Sequence, residues 1–291
     1  MNLCTKARYY KRRAFVLTVS TISQSPAQHN QLLLCTMQYT LKKSLGQHFL
    51  KDENICRNMA EIIQQSLTAA RVTHLTEVGP GAGALTKYLL QMPGIDLKAI
   101  ELDKEKVDFL RLKYPGIRDK IIHEDFLQTD PPFEGEFILA GNFPYNISTQ
   151  IVFKVLDWKE QVPEMIGMFQ KEVAQRIASQ PGSKVYGILS VLVQAYYTVE
   201  YLFDVPPESF MPPPKVMSGV IKISRKPVPV TLKSDRSFFV LVKTAFNQRR
   251  KMLRNAVKNL FNEEILKDDI FNKRAEQLSI EDFAALTFRM R

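Results

Sequence analysis

Cysteine is scarce in this chain of 291 residues. Cys4, Cys35 and Cys56 are widely spaced, which excludes a disulfide framework and a thiolate zinc site and points to a reducing compartment, so a cytoplasmic location is expected. Histidine is equally sparse, and His29, His74 and His123 lack ligand spacing, so no metal is expected. No apolar run approaches the roughly 20 residues that a membrane helix needs, which excludes a bilayer span. Residues 1–36 contain no acidic side chain, yet they carry Lys6, Arg8, Lys11, Arg12 and Arg13 with little periodicity. Such a stretch reads as an unstructured or non-native extension in one of three ways: a disordered basic arm, an organelle presequence, or translated upstream sequence ahead of a start at Met37. Negative charge is short over the whole chain as well. Lys and Arg outnumber Asp and Glu by 40 to 30, for a formal net charge of +10 and a pI near 9.4, and this surplus favours a polyanionic partner, nucleic acid before anionic membrane.

What is present is apolar pattern. At 45% apolar residues the chain can bury a large core, with one large domain and a small one as the expected division. From Met37 onward, short and often β-branched apolar runs alternate with helical patterns, which predicts an α/β fold with a doubly wound parallel sheet. Strands are expected at residues 74–78, 96–101, 120–123, 137–141, 165–170 and 189–196. Residues 217–224 alternate and are expected to close the sheet as a late strand. Pro227 and Pro229 then mark a linker, so residues 37–226 form one expected domain and 227–291, helical and highly charged, a small second one. Trp158, Met165, Met168 and most phenylalanines are assigned to the core.

Four strand ends carry chemistry. The run Glu77-Val78-Gly79-Pro80-Gly81-Ala82-Gly83 follows a strand and opens a helix, so its backbone can approach a ligand where a Cβ would collide. Its spacing departs from the dinucleotide fingerprint, and an ordinary strand-to-helix turn is the plain alternative. Glu101 ends the second strand, where a carboxylate can accept both hydroxyls of an adenosine ribose. Asp125 follows the third, placed to meet an adenine amino group while Phe126 covers the ring. At the end of the fourth stands Asn142-Phe143-Pro144-Tyr145. The Asn142 side-chain oxygen and the Phe143 carbonyl can accept both hydrogens of an exocyclic amine, Pro144 locks the turn, and Tyr145 can stack on the base. An Asn-Pro turn ahead of a helix near Ser148 is the plain alternative here.

With these motifs in order, the chain resembles the small-subunit ribosomal RNA adenine-N6,N6-dimethyltransferases, which are class I S-adenosylmethionine-dependent enzymes. The resemblance covers most of residues 38–270. It rests on Lys42-Lys43-Ser44-Leu45-Gly46-Gln47-His48-Phe49-Leu50, Glu77-Val78-Gly79-Pro80-Gly81, Ile100-Glu101-Leu102-Asp103, Asn142-Phe143-Pro144-Tyr145-Asn146-Ile147-Ser148 and Pro212-Pro213-Pro214-Lys215-Val216. It implies a Rossmann-like class I methyltransferase domain followed by a small all-helical one. S-adenosyl-L-methionine is the implied cofactor, held by Gln47, His48, Leu50, Gly79, Glu101 and Asp125, with Gly81, Gly83, Leu102 and Phe126 completing the set. Asn142 is implied to bridge cofactor and target amine. The family usually has Leu where Phe143 stands and often Asn where His48 stands, so the backbone carbonyl is the expected working group of Phe143. The implied reaction dimethylates two adjacent adenosines near the 3′ end of small-subunit ribosomal RNA during subunit maturation. A macrolide-resistance methylase of large-subunit RNA and a noncatalytic factor like the related mitochondrial transcription factors are the alternatives.

Basic residues at helical spacing supply the expected RNA surface. Residues 246–254 also match the family, and on one helix Lys243, Asn247, Arg250, Arg254 and Lys258 would share a face, opposite the apolar stripe Val242, Phe246, Leu253, Val257 and Leu260. Arg249, Lys251, Lys42 and Lys43 join the candidate RNA contacts. A solvated helix exterior would carry the same charges without a ligand. The expected partners are small-subunit ribosomal RNA and the immature small subunit, met by a monomer, and the target base must be unpaired or flipped to be reached.

Overall fold

A computed structural model describes residues 48–291. Lys42, Lys43, Gln47 and the basic extension over residues 1–36 lie outside the described residues. A two-residue strand β1 (Phe49–Leu50) leads into helix α1 (Glu53–Ala70). The Asp52 carboxylate starts that helix by accepting from the backbone N–H of Asn54 at 3.0 Å and of Ile55 at 3.4 Å. Cys56, Met59, Ile63 and Leu67 recur on one helix face and are buried. Burial pushes the Cys56 thiol up to about 12, so it is a small core residue rather than a reactive one.

Strands and helices then alternate as β2 (His74–Val78), α2 (Thr86–Leu89), β3 (Asp96–Ile100), α3 (Lys104–Lys113), β4 (Ile121–Ile122), β5 (Ile138–Asn142), α4 (Ser148–Asp157), β6 (Glu164–Gln170) and α5 (Lys171–Ala178). Helix α6 (Ile188–Tyr196) and strands β7 (Tyr197–Val205), β8 (Phe210–Met211) and β9 (Ser218–Arg225) follow. Seven strands form one sheet in the order β4-β3-β2-β5-β6-β9-β7, parallel from β4 to β6, with β9 antiparallel to both its neighbours. Strand β2 has β3 on one side and β5 on the other, so the chain order reverses there and a crevice opens past their carboxyl ends. Strands β1 and β8 pair antiparallel as a separate ribbon, Phe49 opposite Met211.

Residues 189–196, expected as a strand, are helical. Leu189 and Val193 of α6 join the apolar cluster that holds Ile151, Phe169 and Tyr197, while Val191, Leu192 and Ala195 join a second cluster with Phe238, Leu241 and Phe283 of the C-terminal helices. A helix walled in on two sides presents no solvent-facing polar stripe to reveal its period, and its two polar residues, Ser190 and Gln194, are themselves buried, bonded to the Arg176 and Ile177 carbonyls. The missing strand lies just after it, as β7. Residues 217–224, expected to close the sheet, are instead inserted between β6 and β7 as β9, and β7 is the edge.

The C-terminal region contains α7 (Asp235–Asn247), α8 (Leu253–Ala256) and α9 (Ile280–Thr287), joined by short 3-10 turns. Its apolar stripe is as expected, with Val242, Leu253 and Val257 buried. The single helix expected to align Lys243 with Lys258 does not form. The Lys251 N–H donates to the Gln248 carbonyl at 2.8 Å, the Leu253 N–H donates to the Lys273 carbonyl at 2.8 Å, and Met252 pairs with Arg274. These pairings pull the backbone out of α7 after Asn247, so Lys243 and Arg254 stand on different elements.

Candidate active site

One cleft gathers the strand-end motifs. His48, Leu50, Gly79, Gly81, Glu101, Leu102, Asp125, Phe126, Asn142, Phe143, Pro144 and Tyr145 all line it. Gly79 and Gly81 turn the chain after β2 with φ of 66° and 58°, a conformation that glycine adopts without steric cost. A Cβ on Gly79 would lie 3.4 Å from the Pro144 ring, so the glycine turn of β2 and the Asn-Phe-Pro-Tyr turn of β5 face each other closely. Gly83 is the exception among the expected contacts. It sits behind the turn, where the Tyr114 ring closes on its α-carbon and the Tyr114 hydroxyl donates to its carbonyl at 3.2 Å, so it serves helix packing rather than the cleft.

Carboxylates at the strand ends are gripped by backbone N–H groups. One Glu101 oxygen accepts from Gly81 at 3.1 Å and the other from Asp103 at 2.9 Å, which fixes the carboxylate and leaves lone pairs on both oxygens for further donors. Glu101 is nearly buried, and desolvation holds its pKa above the usual carboxylate range despite these bonds. Asp125 accepts from the Leu127 N–H at 2.9 Å, and the Phe126 ring is buried against Trp158, 5.3 Å away edge-on.

Asn142 is oriented by elementary donor logic. Its Nδ2 lies 3.1 Å from the His48 carbonyl, which can only accept, so the amide oxygen must point the other way. The same logic places a proton on His48 Nδ1, 2.9 Å from the Pro212 carbonyl. Tyr145 stands beside His48 with ring centroids 5.5 Å apart and planes tilted by 32°. The Phe143 side chain is core: its ring fills the space over Gly167, where a Cβ would lie 2.1 Å from it, and meets Phe169 edge-on at 5.1 Å. A ring in place of the smaller Leu is therefore accommodated from beneath by a glycine.

Two side chains were not given roles by the sequence reading. Glu77, one residue before the end of β2, is fully buried at the cleft, accepts from the Thr86 hydroxyl at 2.7 Å, and is pushed up to about 8 by burial and then by the neighbouring Glu101 charge. Its position ahead of the glycine turn was the available signal. Ser218 hydrogen-bonds the Tyr145 hydroxyl from a strand remote in sequence, and only its place after the Pro-Pro-Pro segment hinted at it.

The basic candidates divide. Lys243, Arg250, Lys251 and Lys258 are exposed, whereas Arg249 is paired with Glu276 at 2.7 Å and also donates to the Ser183 carbonyl at 3.3 Å. Arg254 is half-buried, with its Nε sequestered. Among the described residues no helix is long and apolar enough to cross a membrane, and no group of three His, Cys, Asp or Glu side chains is placed to hold a metal ion.

The chain is similar to known proteins over most of its length. Residues 38–289 match the family model described as ribosomal RNA adenine dimethylase. Ribosomal RNA small subunit methyltransferase A of Flavobacterium johnsoniae is 52% identical over 250 residues, covering 84% of this chain and 94% of that protein. Its counterpart in Cytophaga hutchinsonii is 48% identical over 249 residues, covering 84% and 95%. Among solved structures, a dimethyladenosine transferase from Plasmodium falciparum aligns with a TM-score of 0.65 at 23% identity, over 81% of this chain and 94% of that one. The 23S rRNA methyltransferase ErmE aligns with a TM-score of 0.61 at 22% identity, over 81% and 99%. At those identities the structural matches speak for the fold, which is the class I methyltransferase fold. By the family match and by its relatives at about half identity over most of its length, the chain belongs to the ribosomal RNA adenine dimethylase family.

Proposed function

We infer that this chain is an S-adenosylmethionine-dependent enzyme that dimethylates adenine N6 in small-subunit ribosomal RNA, with two adjacent adenosines near the 3′ end as its target. The observation that carries the reading is that the glycine turn and the Asn-Phe-Pro-Tyr turn line one cleft, with the Pro144 ring close by Gly79. The residues present suit the cofactor: a turn with no Cβ at Gly79 and Gly81, a fixed Glu101 carboxylate with lone pairs to spare for ribose hydroxyls, and Asp125 with Phe126 for the adenine. When bound, S-adenosylmethionine supplies a methyl group already activated on sulfonium.

The chain's own task is alignment, and correct near-attack placement alone can lower a barrier by several kcal/mol, roughly 7–11 in favourable cases. The Asn142 amide oxygen and the Phe143 carbonyl accept the two N6 hydrogens and draw the amine lone pair out of conjugation. Tyr145 stacks on the base, an interaction worth roughly 1–3 kcal/mol. No protein nucleophile is needed, and we assign the proton released from the methylated amine to water. Residues 227–291 serve as a helical RNA-binding domain, with Lys243, Arg250, Lys251 and Lys258 on phosphates. The enzyme acts as a metal-free monomer in the cytoplasm, on the immature small subunit.

Relatives at about half identity carry the small-subunit name, whereas the large-subunit enzyme ErmE is only 22% identical, which weighs against a macrolide-resistance role. A cleft lined by Gly79, Gly81, Glu101, Asp125 and Asn142 together weighs against a binding-only factor. Incubation with labelled S-adenosylmethionine and either immature small subunits or large-subunit RNA, followed by mapping of the modified base, tests the reading. Dimethyladenosine in small-subunit RNA is expected. Label in large-subunit RNA, or in neither, would overturn it.

A further inference from the structure

The Pro-Pro-Pro segment after β8 matched the family by sequence but has no part in the chemistry described above. In the structure it reaches both aromatic walls of the cleft. The Pro212 carbonyl holds His48 Nδ1 at 2.9 Å, and six residues on, Ser218 meets the Tyr145 hydroxyl in a short hydrogen bond. Ser218 is wholly buried and starts β9, paired with Gln170 of β6 on one side and Val205 of β7 on the other, so its backbone is held in place and cannot follow a moving ring. The next residue, Gly219, is covered by the Tyr201 hydroxyl, which donates to Asp204, itself paired with Lys171 at 2.6 Å, and these contacts hold β9 from its other face. At the near end of Tyr145, Ser148 Oγ donates to the Tyr145 carbonyl at 3.1 Å. The ring is thus tied at its backbone and at its tip.

We propose that Ser218 is a positioning residue for methyl transfer, its hydroxyl fixing the plane of the Tyr145 ring on which the target adenine stacks. Stacking is tolerant of base identity but demanding of plane and height, and a tyrosine tied only by its backbone can rotate about two side-chain torsions. Tied at Oη, the ring presents one face, and that face sets where N6 meets the Asn142 oxygen. This inference rests on the methyltransferase reading above and adds to it a role for a residue that touches neither cofactor nor base.

The test is a double-mutant cycle on Ser218→Ala and Tyr145→Phe, with Ser218→Thr as the variant that keeps the oxygen. Methylation of immature small subunits gives kcat and KM, with S-adenosylmethionine affinity and thermal unfolding measured alongside. Each single substitution is expected to lower kcat on the order of fivefold, the size set by one hydrogen bond. RNA KM, cofactor affinity and melting temperature should stay near wild type. The double variant should be no slower than either single one, because both remove the same bond, and Ser218→Thr should recover most of the loss. Additive losses, an unchanged kcat in Ser218→Ala, or a loss that follows melting temperature and appears equally in Ser218→Thr would overturn the proposal while leaving the methyltransferase reading intact. Failure of the wild-type protein to methylate either RNA would overturn both.

Discussion

The cleft and the C-terminal helices hold their charges in opposite ways. At the carboxyl ends of β2 and β3 the ionisable groups that line the cleft, Glu77 and Glu101, are acidic, withdrawn from water and hydrogen-bonded, Glu77 to the Thr86 hydroxyl and Glu101 to the N–H groups of Gly81 and Asp103. Around residues 243–258 they are cationic, Lys243, Arg250, Lys251 and Lys258 exposed and Arg254 half-buried, and of that group Arg249 alone is described in an ion pair, with Glu276. The first arrangement is fixed before any ligand arrives, so an error in it should appear in the rate of the chemical step. The second leaves long side chains free to follow a phosphate backbone, so an error there should appear in salt-dependent affinity and hardly at all in kcat. Preorganisation and adaptability are thus housed in separate parts of one chain.

The sharpest way to break this contrast is Asn142→Ala. It removes one of two acceptors for the amine and the bond to the His48 carbonyl, and a preorganised group of this kind is worth about 10²–10³ in kcat. RNA affinity should change by no more than about twofold. Single-turnover methylation and filter binding on the same preparation check both halves, and wild-type turnover would refute the amine-clamp assignment. Next in size is Gly167→Ala, which drives a methyl into the Phe143 ring and should cost about 1–3 kcal/mol of stability by overpacking. Combining it with Phe143→Leu, the residue usual in the family, should restore much of the melting temperature. Additive losses in that pair would mean that the Phe143 ring is not seated on Gly167.

Much of the cleft was readable from sequence because each motif is a local backbone demand. Gly79 and Gly81 need a left-handed turn, Pro144 needs a fixed φ, and both fall where apolar runs stop, so neither depends on distant contacts to be recognised. Gly83 shows the limit of this reading, since its reason is the Tyr114 ring, reached only through the fold. Helix α6 shows another: its nine residues have no solvent-facing stripe because two cores enclose them and even Ser190 and Gln194 are buried, and the order of β9 and β7 is set by pairing that no local pattern encodes. In the C-terminal region the 3.6-residue period was sound for the buried side of the helix. It misled on the charged side, because backbone bonds to Lys273 and Arg274 outweighed the propensity of five residues to continue α7.

The smallest expected effect separates two neighbouring arginines that the sequence treated alike. Arg249 bonds Glu276 and the Ser183 carbonyl, and so links the turn after α7 to the loop between α5 and α6. Arg250 is exposed at the same turn. Arg250→Ala should weaken RNA binding across sequences and reduce the slope of log affinity against log salt by about one, with no change in melting temperature. Arg249→Ala should leave the salt slope as it is and lower stability by up to about 1 kcal/mol, the range for a half-exposed ion pair. Salt titrations and thermal melts of the two variants side by side distinguish these outcomes. An equal loss of salt slope in both would mean that Arg249 leaves Glu276 when RNA binds, and the division between fixed cleft and adaptable surface would then have to include the ion pair that joins them.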